Sequence, residues 1–268
     1  MDIQARFSMT SNPFVKGRKS QAVIDTNELK EVQIRLNYLK DCLGFGLLTG
    51  EPGRGKTTAV RKWSEGLNSS QYKVIYTSLS SLTAIEFYRQ LASDLGLEPA
   101  FRKVENYRNI QERVKQLSVD KRITPVFILD EANYISNSIL NDLKMIFNFD
   151  MDSKERAIVL LVGLPYLNNT LNLNMHEPLR QRIVMNYHME ALSQEEAIAY
   201  INEKLKSVKC NNEVFSQQAL HAISSSANGT PRMIDKICNR ALLLADSMDK
   251  DFIDSDLAMK AINDVQLG

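Results

Sequence analysis

Eight consecutive residues constrain this chain more than any others. Gly50-Glu51-Pro52-Gly53-Arg54-Gly55-Lys56-Thr57 follow the spacing G-x-x-x-x-G-K-[ST]. Such a turn lets successive backbone N–H groups wrap phosphate oxygens, and a helix starting behind it adds its positive end. By composition alone the string arises in roughly one chain in a hundred of this length. Here it follows the apolar Phe45-Gly46-Leu47-Leu48 and precedes a helical pattern, which is the context the chemistry needs. Lys56 is then expected to reach the β- and γ-phosphates of ATP, and the Thr57 hydroxyl to hold Mg²⁺. Residues Gly50 through Thr57, with Thr58 beside them, would line the nucleotide.

Apolar runs recur along the chain. Lys73-Val74-Ile75-Tyr76-Thr77 is β-branched and aromatic, and Pro125 to Leu129 and Ala157 to Val162 are continuous, as strands buried on both faces should be. Arg182 to Tyr187 reads as a fifth strand. Helical patterns separate them: Leu29, Val32, Ile34, Leu36 and Leu39 after Thr26, a capping box at Thr83–Glu86, and the stripe Ile139, Leu140, Leu143, Ile146 and Phe147. This alternation predicts a five-stranded parallel sheet sandwiched by helices. From Ser193 only helices follow: a capping box at Ser193–Glu196, a helix near Ser216, one from Pro231 and one near Asp254. We therefore expect an α/β nucleotide-binding domain over 1–190, with an N-terminal extension over 1–25, and a small helical domain over 191–268.

The third strand ends in Asp130-Glu131. Adjacent carboxylates at the end of a buried strand are costly, because like charges raise each other's cost. They make sense if Asp130 holds hydrated Mg²⁺ while Glu131 orients and deprotonates an attacking water. Positive charge aimed at the departing γ-phosphate would complete the set. Arg180 and Arg182 before the fifth strand, and Arg232 at the start of the helix from Pro231, are the candidates.

Lys plus Arg total 33 against 32 for Asp plus Glu, so any nucleic-acid contact must be a local patch. Lys103, Arg108, Lys121 and Arg122 form one candidate patch, and Lys16, Arg18 and Lys19 the alternative. Cys42, Cys210 and Cys238 lie far apart and read as free buried thiols of a reducing compartment. His176, His188 and His221 are isolated, and Trp63 reads as packing. The start lacks the apolar core of a signal peptide, and the longest apolar run, Ala157 to Leu164, is far short of a membrane span. A soluble, cytoplasmic protein without membrane contact is expected.

The ordered motifs resemble the AAA+ ATPases, in particular the group containing ExeA-type secretion ATPases and TnsC-like regulators of transposition. The resemblance extends over almost the whole chain. Asn12-Pro13-Phe14 is similar to that group's motif near the nucleotide base, and the phosphate loop and Asp130-Glu131 to Walker A and Walker B. Val162-Gly163-Leu164-Pro165 resembles the segment after the fourth strand, Leu179-Arg180-Gln181-Arg182 the arginine-finger region, and Gly229-Thr230-Pro231-Arg232 the sensor-2 turn of the helical lid. The resemblance implies a P-loop NTPase fold, ATP and Mg²⁺ as cofactors, and ATP-driven assembly into a ring or helical homo-oligomer. It also implies a polar γ-phosphate sensor where this chain has Leu164, with Asn168 nearby as a substitute. Hydrolysis is then expected to be slow or gated by a partner.

Two functions fit. One is an ATP-switched regulator that assembles on double-stranded DNA and recruits or activates a transposase. The other is an ATPase energising a secretion or envelope-assembly machine. The resemblance implies that secretion members continue into a transmembrane segment, whereas this sequence ends at Gly268 behind the lid helices, which favours the first.

Overall fold

A computed structural model of the chain describes residues 3–15, 23–78, 82–149, 154–210 and 212–266. In chain order the elements are α1 (Ile3–Arg6), α2 (Asn27–Cys42), β1 (Gly44–Gly50), α3 (Lys56–Glu65), β2 (Tyr72–Ser78), α4 (Ala84–Asp94) and α5 (Lys103–Lys115). Then come β3 (Thr124–Asp130), α6 (Asn137–Ile146), β4 (Ile158–Gly163), α7 (Tyr166–Leu171), α8 (Glu177–Arg180) and β5 (Ile183–Met189). The last four are α9 (Gln194–Ser207), α10 (Gln217–Ser226), α11 (Pro231–Ser247) and α12 (Ser255–Gln266).

These elements form two compact units. One holds Glu31–Pro52 and Lys56–Met189; the other holds the described residues up to Lys30, the three residues Gly53–Gly55, and those from Glu190 onward. The first is a five-stranded parallel sheet in the order β2-β3-β4-β1-β5. Strands β1 and β4 are buried throughout and β3 nearly so, in keeping with their unbroken apolar runs. The edge strand β2 instead alternates, turning Ile75 and Thr77 inward and leaving Val74 and Tyr76 exposed.

On one face, Phe45, Leu47, Phe127, Leu129, Val159 and Leu161 pack against α4, α5 and α6. The opposite face meets α2 closely: a Cβ on Gly46 would lie 2.4 Å from Leu39 Cδ2. Helix α2 starts as expected, with Thr26 Oγ1 accepting from the Leu29 amide at 3.1 Å. Leu29, Val32, Leu36 and Leu39 are buried, but Ile34 is exposed, because only the former set keeps the 3.6-residue period. The capping box at Thr83 and Glu86 is formed at the start of α4.

The helical unit has its own core from α9, α10, α11 and α12. Helix α9 opens on the Ser193–Glu196 capping box, and α11 starts at Pro231. The sequence reading put the N-terminal extension with the nucleotide-binding domain; its described part belongs instead to the helical unit. The reason is apolar: Phe7, Met9 and Phe14 are buried in that unit's core, and the Thr10 amide donates to Val208 O. Cys210 and Cys238 are buried free thiols, whereas Cys42, expected to be buried, is exposed at the last residue of α2. Among the described residues no helix is long and apolar enough to cross a membrane.

Candidate nucleotide-binding site

The phosphate loop leaves the carboxyl end of the central strand β1 and enters α3. Gly53 and Gly55 have φ of +83° and +104°, where a side chain would be strained, so the loop needs glycine at both. Lys56 Nζ folds back onto the loop, donating to Gly50 O at 2.7 Å and Glu51 O at 3.1 Å. The loop residues Gly53–Gly55 sit with Arg232 in one unit. The Arg232 amide donates to Gly53 O at 3.3 Å, and Arg54 Nη1 donates to Asn228 O and Gly229 O at 3.0 and 3.1 Å.

Asp130, at the end of β3, is only 5% exposed and accepts three hydrogen bonds. Thr57 Oγ1 and Tyr76 OH each donate to Oδ2 at 2.9 Å, and the Glu131 amide donates to Oδ1 at 2.9 Å. Glu131 itself is exposed and held in the left-handed region at φ +56°, ψ +37°. Such a conformation costs a non-glycine residue of order 1–3 kcal/mol and recurs at functional positions. Burial first, then the bond to Asp130 and the charges of Asp130 and Glu131, push the Tyr76 phenol up to about 12, so it stays a donor across the neutral range.

A hydroxyl and a carboxylate within hydrogen-bond distance beside a phosphate loop are hard oxygen donors, the set Mg²⁺ takes together with substrate phosphates and water. Thr57 and Asp130 therefore fit that ion.

Behind the loop, the buried Thr49 is joined to helix α7 and to strand β5. Asn168 Nδ2 donates to Thr49 Oγ1 at 3.2 Å, and Thr49 Oγ1 lies 3.1 Å from His188 Nδ1. Asn168 thus reaches the base of the loop, while the Leu164 side chain brings no polar group. The Leu164 amide donates to Asn133 Oδ1 at 3.2 Å, and Asn133 Nδ2 is buried with no partner among the described residues. Sequence reasoning passed over Asn133 and Tyr76. Asn133 lies only three residues past Asp130, so its position was the available signal; Tyr76 gave none beyond strand propensity.

The remaining expected site residues are dispersed. Arg182 is taken up structurally: its side chain is 9% exposed, Nη1 donates to Lys144 O, and Nη2 donates to Phe147 O and pairs with Glu155 at 2.9 Å. It also lies over the Phe45 ring, near the amino end of β1. Arg180 is half-buried, with Nη1 donating to Leu171 O at 3.2 Å.

In the helical unit, Phe14 packs edge-on against Phe215, and Asn12 Nδ2 donates to Asn239 Oδ1 at 2.8 Å. The Phe14 ring is spent on that core, and Lys204 Nζ lies over it. Of the basic patch, Lys103 pairs with Asp142 and lies over the Tyr88 ring, while Arg108, Lys121 and Arg122 are exposed. Lys103 opens α5, and Lys121 and Arg122 follow the π-turn Gln116–Asp120 at its far end, roughly 27 Å away along the axis. They are not one patch. Lys121 instead neighbours Lys73, whose ammonium is depressed by burial and then by Arg113 and Lys121. Lys16, Arg18 and Lys19 lie outside the described residues.

Residues 42–171 match the family model described as an AAA domain. General secretion pathway protein A of Aeromonas hydrophila is 32% identical over 248 residues, covering 89% of this chain. These matches support an ExeA-like AAA+ protein. The chain spans 44% of the length of that Aeromonas relative. The AAA+ fold extends through solved structures: Aeropyrum pernix ORC2 matches with a TM-score of 0.67 at 18% identity, over 94% of this chain and 71% of that one. The same organism's ORC1, solved in complex with DNA, matches at 0.64 and 16%, over 89% and 64%.

Proposed function

We propose that this AAA+ chain binds ATP with Mg²⁺ and hydrolyses it slowly, as a switch for self-assembly on double-stranded DNA. The observation that carries the nucleotide reading is the Thr57–Asp130 hydrogen bond beside the phosphate loop, with Glu131 next in sequence. When bound, Mg²⁺ neutralises the charge on the β- and γ-phosphates. Lys56 exchanges its loop carbonyls for phosphate oxygens, the loop amides bind the polyphosphate, and Glu131 takes the proton of the attacking water. Slow turnover follows from the apolar Leu164 and from an Asn168 amide already engaged by Thr49. Arg180 is the finger we assign to a neighbouring subunit, and Arg232 the second positive group, consistent with its bond to Gly53.

The DNA part of the reading draws on the ORC fold, including the ORC1 solved in complex with DNA, and on the exposed Lys121 and Arg122. A protein of net charge +1 has little long-range attraction for DNA, so ATP-driven assembly would align one modest patch per subunit and supply affinity by avidity. A transposase is the partner we assign to that assembly. The 32% identity to General secretion pathway protein A favours a second reading, an ATPase energising a secretion or envelope-assembly machine. A duplex-binding titration with a non-hydrolysable ATP analogue, ADP and no nucleotide separates the two. ATP-dependent binding at low salt supports the DNA switch; negligible binding in every state transfers the assignment to the secretion-type reading.

A further inference from the structure

Strand β2 carries a residue that the nucleotide chemistry above does not use. Tyr76 lies on the edge strand and is 48% exposed, yet its hydroxyl donates to Asp130 Oδ2 at 2.9 Å. Strands β2 and β3 pair in parallel register, with Tyr76 beside Ile128 and Ser78 beside Asp130. The phenol therefore reaches forward along the sheet edge, by about two residues, to the carboxylate.

We infer that Tyr76 is a positioning residue for Mg²⁺: its hydroxyl fixes the Asp130 carboxylate in the orientation that holds the ion. The inference rests on reading Lys56, Thr57 and Asp130 as the Mg²⁺-nucleotide site. A carboxylate offers about four lone-pair positions, and Asp130 fills three. One donor is the Glu131 amide, on the same turn. The second is Thr57 Oγ1, itself a Mg²⁺ ligand in this reading through a lone pair, so its position follows the ion while its O–H goes on donating to Asp130. Tyr76 is the donor committed to neither phosphate nor metal, and it is anchored in a different strand. Asp130 is buried, so solvent is poorly placed to replace the phenol. A tyrosine chosen only as a strand former would be served equally by phenylalanine.

The test is Tyr76→Phe in the full chain, which keeps the ring and the strand propensity and deletes the hydroxyl. Binding of a fluorescent non-hydrolysable ATP analogue is titrated with Mg²⁺ and repeated in EDTA, alongside the unfolding temperature. Val74→Ala, on the same exposed face of β2, is the control. Tyr76→Phe should raise the Mg²⁺ concentration for half-maximal binding roughly tenfold, as expected for one charge-assisted hydrogen bond. Metal-free nucleotide binding should match wild type, the unfolding temperature should fall by a few degrees because a buried carboxylate loses a donor, and Val74→Ala should leave the Mg²⁺ midpoint unchanged. Equal midpoints for Tyr76→Phe and wild type overturn the inference, as does an equal loss with and without Mg²⁺. If wild-type affinity is itself indifferent to Mg²⁺, the underlying reading of Thr57 and Asp130 falls, and the inference falls with it.

Discussion

Thr57 Oγ1 donates to Asp130 Oδ2 at 2.9 Å, closing a gap of 73 residues between the first turn of α3 and the end of β3. Two motifs recognisable separately in the sequence thus converge at one carboxylate. Pairing through β4 places β1 and β3 two positions apart in the sheet, so their carboxyl ends fall together. The ends of β1 and β3 are where a parallel α/β sheet presents its chemistry.

The two arginines before β5 should separate cleanly by mutation. Arg182→Ala removes an ion pair and leaves the carbonyls of Lys144 and Phe147 without their donor, so it should destabilise the chain by about 2–4 kcal/mol. Arg180→Ala should unfold within about 1 kcal/mol of wild type, since it loses one half-buried bond, yet lose hydrolysis. Denaturant unfolding and ATPase assays on both variants measure this. A stable but inactive Arg182→Ala would restore Arg182 as the finger.

If Arg180 acts across subunits, turnover per subunit should rise with protein concentration. Mixing Arg180→Ala with Lys56→Ala should recover partial activity, because one supplies the pocket and the other the finger. Turnover independent of concentration, with no recovery on mixing, would contradict a shared site.

Glycine substitutions test the turn before α11. Gly229 has φ +60°, and a Cβ there would stand 2.0 Å from Leu192 O, a backbone atom that cannot step aside. Gly96 also has positive φ, at +78°, but open space around it. Gly229→Ala should therefore cost more than about 3 kcal/mol, and Gly96→Ala about 1 kcal/mol. Similar unfolding free energies for the two would mean that the turn relaxes freely.

For DNA, Lys121 and Arg122, just past the π-turn that follows α5, are an exposed adjacent pair in the basic segment. Lys121→Gln with Arg122→Asn, asparagine tolerating the φ of +55° at position 122, should flatten the dependence of log affinity on log salt by about two. Lys103→Gln should leave that slope alone and lower stability, because Lys103 is paired with Asp142. The reverse pattern would move the DNA contact to the start of α5.

What the sequence revealed followed from local pattern. Unbroken runs marked β3 and β4, and capping boxes at Thr83 and Ser193 marked helix starts, because each signal lies within a few residues. The phosphate loop and Asp130 were legible because their chemistry demands rare spacing. Tyr76 was not, since its partner stands 54 residues away and a tyrosine in an edge strand looks ordinary. The same holds for Arg182, whose partners Lys144, Phe147 and Glu155 are 27 to 38 positions distant. The N-terminal segment was assigned by order along the chain, whereas Phe7, Met9 and Phe14 follow the apolar core that buries them.

The most direct measurement of the central claim is ATP retention and release of phosphate, with Mg²⁺, by wild type, Glu131→Gln and Lys56→Ala under identical conditions. Lys56→Ala should bind no nucleotide, having lost the fixed charge facing the β- and γ-phosphates. Glu131→Gln should bind ATP as wild type does, but hold it uncleaved, because only the base for water is lost. Equal phosphate release by wild type and Glu131→Gln would contradict the account.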